Sequence, residues 1–279
     1  MKKLISILLV ITSAISLVLF TASCGKKQEQ GTLRVGMECA YAPYNWTQPT
    51  NANGAVPIKD SQDFAYGYDV MMAQKIADEL GMKLEIVKLA WDSLVPAVQS
   101  GTIDCAIAGQ SITKERSASV DFTEPYYYAT IVTLVKKGNK YDKAQNLDDL
   151  KGASAISQIN TIWYDKCVPQ IPSVKKLPAM EETAQMLVAL NSGKCDVVVT
   201  DLPTGKAALI AYPDFVMTDF AKVEGSTFQV SDEDVNIGIS IKKGNKELVD
   251  KINGVLKKMT PEDYNKMMDE AIKVQPLSK

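Results

Sequence analysis

Short apolar runs alternate with amphipathic stretches along most of the chain. The predicted elements are, in chain order, a strand over residues 33–37, a helix over 68–80, a strand over 84–89, a helix ending at residue 100 and a strand over 104–108. Gly81 follows the first helix as a stop signal, and Asp92 or Ser93 is expected to cap the second. This alternation is typical of a parallel sheet covered by helices.

The segment between residues 45 and 63 breaks the alternation. It is rich in turn-forming prolines, asparagines and glycine, so we expect it to be a surface excursion. Its Asn45-Trp46-Thr47 matches the glycosylation triplet, which we interpret as a chance match.

The chain also contains two gapless internal similarities. The paired segments are 94–109 with 186–201, and 131–140 with 237–246. Each copy of the first pair reads as a helix, a Ser-Gly break, an aspartate and an apolar strand, so we predict two domains built on one βα plan. Ligands of open α/β sheets bind beyond the carboxyl ends of the strands. Gly109 and Asp201, which end the paired strands, should therefore face each other across a cleft.

Hydrogen-bonding residues cluster directly after the first of these strand ends. Gly109, Ser111, Thr113 and Arg116 lie within eight residues and together predict an anion cradle. Arg116 can hold a carboxylate with a planar fork, and Asp201 across the cleft can accept from an ammonium, so an α-amino acid fits the pair. The alternatives are that Arg116 is a solvated helix residue and that Asp201 only caps a helix.

The first residues of the chain predict export. A short positive start, an apolar run over residues 4–20 and small residues before Cys24 are typical of a secretory leader over residues 1–23. A cysteine in that place resembles a bacterial lipobox, so Cys24 is expected to carry lipid and residues 24–31 to form a tether. Thr21 departs from the usual leucine, and an ordinary secretory signal cut nearby is the alternative. The expected location is the outer face of the bacterial cell membrane, held there by lipid.

Composition removes several classes of function. The formal charge is −2, and loss of Lys2 and Lys3 with the leader makes it −4, which argues against a nucleic-acid partner. Histidine is absent from the sequence, which excludes Ser-His-Asp and Cys-His mechanisms and disfavours a transition-metal site; no cofactor is expected. The four cysteines after Cys24 are expected to be free buried thiols, with a Cys39–Cys105 bridge as the main exception.

Several segments, in order and spacing, resemble the bacterial type 2 extracellular solute-binding proteins that deliver polar amino acids to ABC importers. The matching segments are residues 35–44, 67–70, 108–116, 121–123 and 198–201, within a resemblance that covers residues 32–275. The family's fold implies α/β architecture, with two α/β lobes joined by two crossing strands and a ligand cleft between them. On that plan residues 32–129 and 237–279 form lobe 1, and residues 130–236 form lobe 2.

The resemblance also implies roles at the amino-acid head group. Arg116 would clamp the ligand carboxylate, helped by Ser111 and by a turn at Thr161, while the carbonyl of Gly109 and Asp201 take the α-ammonium, with Ala108 beside them. Family members commonly place a hydroxyl residue at the position of Ile162, where this chain offers only an N–H.

The resemblance further implies a pocket for the ligand side chain. Tyr41 and Trp91 would form its two aromatic walls, and Glu38 and Gln158 its far end. Taken alone, the aromatic residues suit a partly buried core and Glu38 suits a charge at a strand end that faces water. An acidic group, an amide and two rings favour arginine or lysine, because a cation gains from charge and from ring faces. Glutamine is the alternative ligand.

The expected function is that of a monomeric substrate-binding lipoprotein. It would close two lobes on a free amino acid, rotating near residues 128–132 and 234–238, and deliver it to the permease subunits of an ABC importer. An enzyme is an alternative because a few relatives of the fold carry out dehydration, and product formation on incubation would reveal it. A sensory lipoprotein, which genomic neighbours would identify, and a structural surface lipoprotein are the others.

Overall fold

The computed structural model describes residues 31–222 and 226–276, and the described residues from Thr32 onward form one compact unit. The predicted leader, Cys24 and nearly all of the predicted tether lie outside the described residues. Among the residues that the structure describes, no helix has the length and apolar character needed to cross a bilayer.

The strands and helices are short and alternate as the apolar pattern predicts. The strands are β1 Thr32–Met37, β2 Ala40–Tyr41, β3 Asn45–Gln48, β4 Val56–Pro57, β5 Phe64–Tyr66, β6 Lys83–Lys88, β7 Cys105–Ala106, β8 Val120–Phe122, β9 Tyr127–Tyr128, β10 Ile131–Lys136, β11 Ser154–Ile156, β12 Lys175–Lys176, β13 Val197–Asp201, β14 Phe215–Thr218, β15 Asn236–Ile237 and β16 Ser240–Lys242. The helices are α1 Tyr68–Glu79, α2 Leu94–Ser100, α3 Lys114–Ser119, α4 Thr183–Asn191, α5 Leu202–Ala211, α6 Asp232–Val235, α7 Lys246–Leu256 and α8 Pro261–Val274. Single helical turns lie at Ala52–Gly54, Trp91–Ser93, Asp148–Leu150, Trp163–Cys167, Val168–Gln170 and Phe220–Lys222.

Two five-stranded sheets share one plan. Their strand orders are β6-β1-β7-β16-β8 and β12-β11-β13-β10-β14. The internal similarities align β7 with β13 and β16 with β10. The two members of each pair hold the same position in the two strand orders. The predicted two-domain α/β plan is therefore confirmed, and each sheet forms one lobe of a type 2 periplasmic-binding fold.

The expectation of a parallel sheet is wrong for one strand in each lobe. Strand β16 runs antiparallel to β7 and β8, and β10 runs antiparallel to β13 and β14. Both strands follow a passage of the chain from the other lobe, so they enter their sheets from the opposite end. The apolar pattern carries no information about this direction.

Two crossing strands join the lobes, as predicted. Strands β9 and β15 pair antiparallel, with Tyr128 opposite Asn236 and Tyr127 opposite Ile237. The segment that follows β7 is bound to this junction, because Ile112 donates its N–H to the Asn236 carbonyl at 2.8 Å. The loop that carries the predicted anion cradle is thus attached to the connection between the lobes.

Each lobe has apolar side chains packed between its sheet and its helices. In lobe 2, Met186, Leu187 and Leu190 of α4 pack with Val198 of β13 in a buried cluster. In lobe 1, α1 places Ile76 and neighbouring apolar residues in the larger cluster against the first sheet. Burying a side chain of this size stabilises the fold by about 1.5–3 kcal/mol, so these cores hold the strand ends in place.

The predicted surface excursion is in part a folded subdomain. Strands β2, β3, β5 and β4 form a four-stranded antiparallel sheet, and Asn45 and Trp46 at its start are buried. Trp46 packs edge-on against Tyr66, with 5.3 Å between ring centroids. The glycosylation triplet therefore lies on a buried asparagine, which agrees with its interpretation as a chance match.

The structure also tests three local predictions. Ser93 does not cap α2 with its side chain, since a turn over Trp91–Ser93 leads into the helix instead. Strand β7 covers Cys105–Ala106 only, although the N–H of Ile107 still donates to the Gly36 carbonyl at 3.1 Å. The four cysteines in the described part of the chain are free and buried, so the Cys39–Cys105 bridge is absent there.

Candidate ligand-binding site

The carboxyl ends of β7 and β13 meet at a small cavity between the lobes. It measures about 10 Å³ and is lined by Tyr41, Trp91, Gly109, Ser111, Arg116, Gln158, Thr161 and Trp163. Seven of the ten predicted ligand-binding residues lie in this wall. The other three adjoin it, because Glu38 contacts Gln158, Asp201 contacts Tyr41, and the buried Ala108 precedes Gly109. A volume of this size holds about one water molecule.

Gly109 follows β7 in a left-handed conformation that favours glycine. Its φ is +63°, and a Cβ added there would lie 2.8 Å from Cε1 of Tyr41. The ring of Tyr41 therefore lies directly on the backbone of Gly109. The Tyr41 ring also stacks on Tyr44, with 4.7 Å between centroids and 21° between planes.

Asp201 both caps a helix and faces the cleft, so the two interpretations of it are compatible. Its Oδ1 accepts the N–H of Thr204 at 3.0 Å at the start of α5, and its Oδ2 accepts the Thr204 hydroxyl at 3.0 Å. The Tyr41 hydroxyl, from the other lobe, also donates to Oδ2. Complete burial raises the pKa of Asp201 although these hydrogen bonds oppose the shift.

Arg116 reaches from lobe 1 to lobe 2. Thr113 caps α3 by accepting the Arg116 N–H at 3.2 Å, which fixes the start of this short helix. The guanidinium donates to the Ser111 carbonyl at 3.0 Å and to the Asn160 carbonyl of lobe 2 at 2.9 Å. It also lies 5.2 Å from the centroid of the Trp91 ring. Burial lowers its pKa to about 10, so it is protonated at neutral pH.

The turn that follows β11 supplies the lobe 2 wall of the cavity. Thr161 donates its hydroxyl to the Gln158 carbonyl at 2.7 Å and accepts the N–H of Tyr164 at 3.3 Å. Its hydroxyl therefore organises the turn itself. The amide side chain of Asn160 donates to Asp92 of lobe 1 at 2.8 Å, which gives a second contact across the lobes beside Arg116.

Glu38 and Gln158 meet at the opposite end of the cleft. Glu38 follows β1 and is 5% exposed, so it does not face water as the alternative interpretation required. Its carboxylate accepts from Nε2 of Gln158 at 3.1 and 3.4 Å. Burial, with smaller repulsion from Glu182 and Asp69, raises the pKa of Glu38 to about 7. A second cavity of about 280 Å³ lies beyond it, lined in part by Trp91, Glu181 and Glu182.

Two features of the site were not predicted from the sequence. Trp163 lines the cavity and is almost fully buried, from a π-helical turn directly after Ile162. An aromatic residue close to the predicted head-group turn was the only available signal. The second feature is a buried polar chain behind the cleft, centred on Asp69. Among the described residues, no cluster of three or more potential metal ligands exists.

Known proteins share this sequence and this fold. The sequence model of bacterial extracellular solute-binding proteins, family 3, matches residues 33–273. A probable histidine-binding protein of Campylobacter jejuni is 32% identical over 66% of each chain, and the glutamine-binding protein of a Bacillus subtilis ABC transporter is 27% identical over 99% of each chain. An amino acid ABC transporter substrate-binding protein from Streptococcus pneumoniae, solved with bound L-arginine, superposes with a TM-score of 0.72 at 28% identity, covering 87% of this chain and 94% of that one. The chain belongs to family 3 of the bacterial extracellular solute-binding proteins.

Proposed function

We propose that this protein captures a free L-amino acid, with arginine or lysine favoured, and delivers it to the permease of an ABC importer. The observation that carries the proposal is the placement of Arg116 and Asp201 on opposite lobes beside one cavity, with Glu38 at its other end. A cation and an anion on facing walls suit the two charges of an amino-acid head group. The family membership supports the transport role.

At the head group, the ligand would replace contacts that the protein now makes with itself. The ligand carboxylate would take the guanidinium of Arg116 from the carbonyls of Ser111 and Asn160. The ammonium would compete with the neutral Tyr41 hydroxyl for Asp201 and would also reach the Gly109 carbonyl. In each exchange, a hydrogen bond between an ion and a neutral group is replaced by a stronger one between two ions. The exchange therefore favours ligand binding.

At the far end, Glu38 favours a cationic side chain. A buried carboxylate with a neutral amide as its donor lacks a counter-ion, and a guanidinium or ammonium supplies one. The rings of Tyr41, Trp91 and Trp163 in the cavity wall suit a flat or extended side chain. Glutamine is the second candidate, because Gln158 and a protonated Glu38 can pair with an amide.

Ligand access requires the lobes to separate. A cavity of about 10 Å³ is far smaller than any amino acid. Contacts across the lobes, from Tyr41 to Asp201, from Gln158 to Glu38 and from Arg116 to Asn160, all surround the site. The crossing strands β9 and β15 are the expected hinge, and a ligand that touches both lobes stabilises the closed arrangement selectively. Small-angle scattering should show a smaller radius of gyration at saturating ligand.

Binding is also the role that suits the two cleft carboxylates. Asp201 is held by Thr204 and Tyr41, and Glu38 by Gln158, as suits carboxylates that act as fixed binding groups. Incubation with amino acids should therefore leave them unchanged, as chromatography of the recovered ligand will test.

For export, we propose cleavage before Cys24 and lipid attachment to it, as the order of charged, apolar and small residues favours. The wild-type protein should incorporate labelled palmitate, and Cys24→Ala should not. Equal incorporation of the label by both proteins would contradict lipid attachment at Cys24.

A ligand panel tests the core of the proposal. Calorimetry with L-arginine, L-lysine, L-glutamine, L-histidine and the other amino acids should give tightest binding for arginine or lysine. Agmatine, which is arginine without its α-carboxylate, should bind far more weakly because Arg116 has no partner on it. Equal affinity for agmatine and arginine would contradict the head-group assignment. Tightest binding of glutamine would refute only the cationic assignment, and binding of no amino acid would refute the proposal.

A further inference from the structure

A buried chain of hydrogen bonds lies behind the cleft and has no part in the head-group or side-chain contacts. Its centre is Asp69, in the first turn of α1, which is fully buried. Asp69 Oδ1 accepts the Tyr126 hydroxyl at 2.7 Å, and Oδ2 accepts Nδ2 of Asn45 at 2.8 Å. Both donors are neutral. Burying a carboxylate against neutral donors is costly, and that cost raises the pKa of Asp69 to about 7.

Each of these two donors also accepts a backbone N–H at one end of the cleft. The Tyr126 hydroxyl accepts the N–H of Gly109 at 3.0 Å, at the head-group end. Oδ1 of Asn45 accepts the N–H of Cys39 at 2.7 Å, next to Glu38. We call these three side chains and two N–H groups the Asp69 network. It touches the backbone at both ends of the site without reaching the cavity.

The two backbone positions held in this way are both unusual. Gly109 has φ of +63° and Cys39 has φ of +53°, in the left-handed region that a residue with a Cβ seldom adopts. Such a conformation persists only where its surroundings enforce it. The Asp69 network supplies that enforcement, because it gives each of these N–H groups a buried acceptor.

When Asp69 is ionised, it also sets the direction of every hydrogen bond in the network. It can then only accept, so the single hydrogen of the Tyr126 hydroxyl points to it and leaves the oxygen free to accept from Gly109. The amide of Asn45 must likewise turn its nitrogen to Asp69 and its oxygen to Cys39. An amide at position 69 would instead donate on one side, and either Gly109 or Cys39 would lose its acceptor.

We propose that Asp69 is a positioning residue: through Tyr126 and Asn45 it holds Gly109 and the Glu38–Cys39 turn in place and so sets the spacing between the two ends of the cleft. The binding consequence of this inference depends on the proposed function. The backbone consequence does not depend on it.

The chain offers a matched pair of variants for the test. Tyr126→Phe removes the hydroxyl that joins Asp69 to Gly109. Tyr68→Phe removes another buried tyrosine hydroxyl from the same aromatic cluster, one that donates to the Tyr126 carbonyl at 2.8 Å. Both variants should lower the melting temperature by similar amounts. Only Tyr126→Phe should weaken L-arginine binding, by about tenfold, since the Gly109 N–H loses its buried acceptor.

Amide exchange of the ligand-free protein separates this inference from the proposed function. With ¹⁵N-glycine and ¹⁵N-cysteine labelling, the Gly109 amide should exchange faster in Tyr126→Phe by about tenfold and stay unchanged in Tyr68→Phe. Asp69→Asn, which keeps the shape of the side chain, should accelerate exchange at Gly109 or at Cys39. Unchanged exchange at both positions in Asp69→Asn would overturn the inference even if arginine binds. Accelerated exchange would support the inference even if another amino acid is the ligand. If Tyr126→Phe does not fold, the exchange measured in Asp69→Asn decides alone.

Discussion

The two ends of the cleft are built on different principles. At the head-group end, Arg116 and Asp201 each have several fixed hydrogen-bond partners, and those partners come from both lobes. At the far end, Glu38 is a buried carboxylate whose donor is the amide of Gln158. On the proposed function, the first end is preorganised for a charged head group, whereas the second holds a carboxyl group that lacks a counter-ion.

This difference indicates which parts of the molecule determine which property. Arg116 and Asp201 lie at helix starts that follow strands of the two equivalent sheets, so the fold itself places them. Glu38 and Gln158 lie after the ends of β1 and β11, outside both five-stranded sheets, where we expect a substitution to alter ligand choice without disturbing the sheets. On the proposed function, recognition of the amino-acid head group thus depends on the scaffold, and the choice among amino acids depends on a few side chains.

The largest expected effect is at the head-group end. Arg116→Ala should weaken every amino-acid ligand by roughly 2–5 kcal/mol, because the ligand carboxylate would be enclosed without its charged partner. Arg116→Lys should restore only part of the loss, since a point charge replaces the planar fork. Calorimetry that finds near-native affinity for Arg116→Ala would remove the central claim about this end.

At the far end, Glu38→Gln should affect ligands selectively. It should weaken arginine or lysine by about 1.5–3 kcal/mol, the value of a hydrogen bond to a charged group, and leave glutamine little changed. Glu181→Gln is the matched control, because Glu181 is exposed on the outer cavity beyond Glu38. If both variants bind arginine equally well, the contrast between the two ends is lost.

The comparison also predicts how affinity depends on pH. A cationic ligand stabilises ionised Glu38, whose pKa in the ligand-free protein is raised to about 7, so arginine affinity should rise as pH increases from about 5 to about 8. The limiting slope is one order of magnitude per pH unit, about 1.4 kcal/mol. Glu38→Gln should reduce the slope, and glutamine binding should rise less steeply with pH, because only the contact of the ammonium with Asp201, whose pKa is also raised, then remains. Calorimetry at several pH values separates these outcomes.

The stability of the ligand-free protein should change with pH in the opposite direction to arginine affinity. The folded, ligand-free protein holds protons on Glu38 and Asp69 with pKa values raised to about 7, well above those of the unfolded chain. Folding therefore takes up protons between about pH 4.5 and 7, and the ligand-free protein should lose stability as pH rises through that window. Melting temperatures of the wild-type protein and of Glu38→Gln test this directly, since the variant should lose part of the decline.

The sequence predicted the head-group end because its signals are local or repeated. The internal similarity placed Gly109 and Asp201 at equivalent strand ends, and the spacing from Gly109 to Arg116 indicated the anion cradle. Both depend on residues close together in the chain or on a repeat of the same pattern. The resulting positions lie together in the structure as expected.

The far end of the cleft, Trp163 and the Asp69 network depend on features that no local sequence pattern encodes. Glu38 and Gln158 are 120 residues apart, and only the resemblance to a family indicated that they would meet. Trp163 lies in a π-helical turn, which has no apolar period to recognise. Asp69 in the first turn of a helix is typical of a favourable charge near a helix start, so its buried role was not visible.

The smallest expected effect belongs to Trp91, which contacts both ends. Its ring lies 5.2 Å from the guanidinium carbon of Arg116 and also lines the outer cavity beside Glu38. Trp91→Ala should therefore weaken arginine and glutamine by similar amounts, about 1 kcal/mol, as for loss of a partly exposed cation–π and packing contact. Trp91→Phe should recover much of that loss for both ligands. A loss confined to arginine in calorimetry would instead assign Trp91 to the far end alone, and the boundary between the two ends would then lie between Trp91 and Arg116.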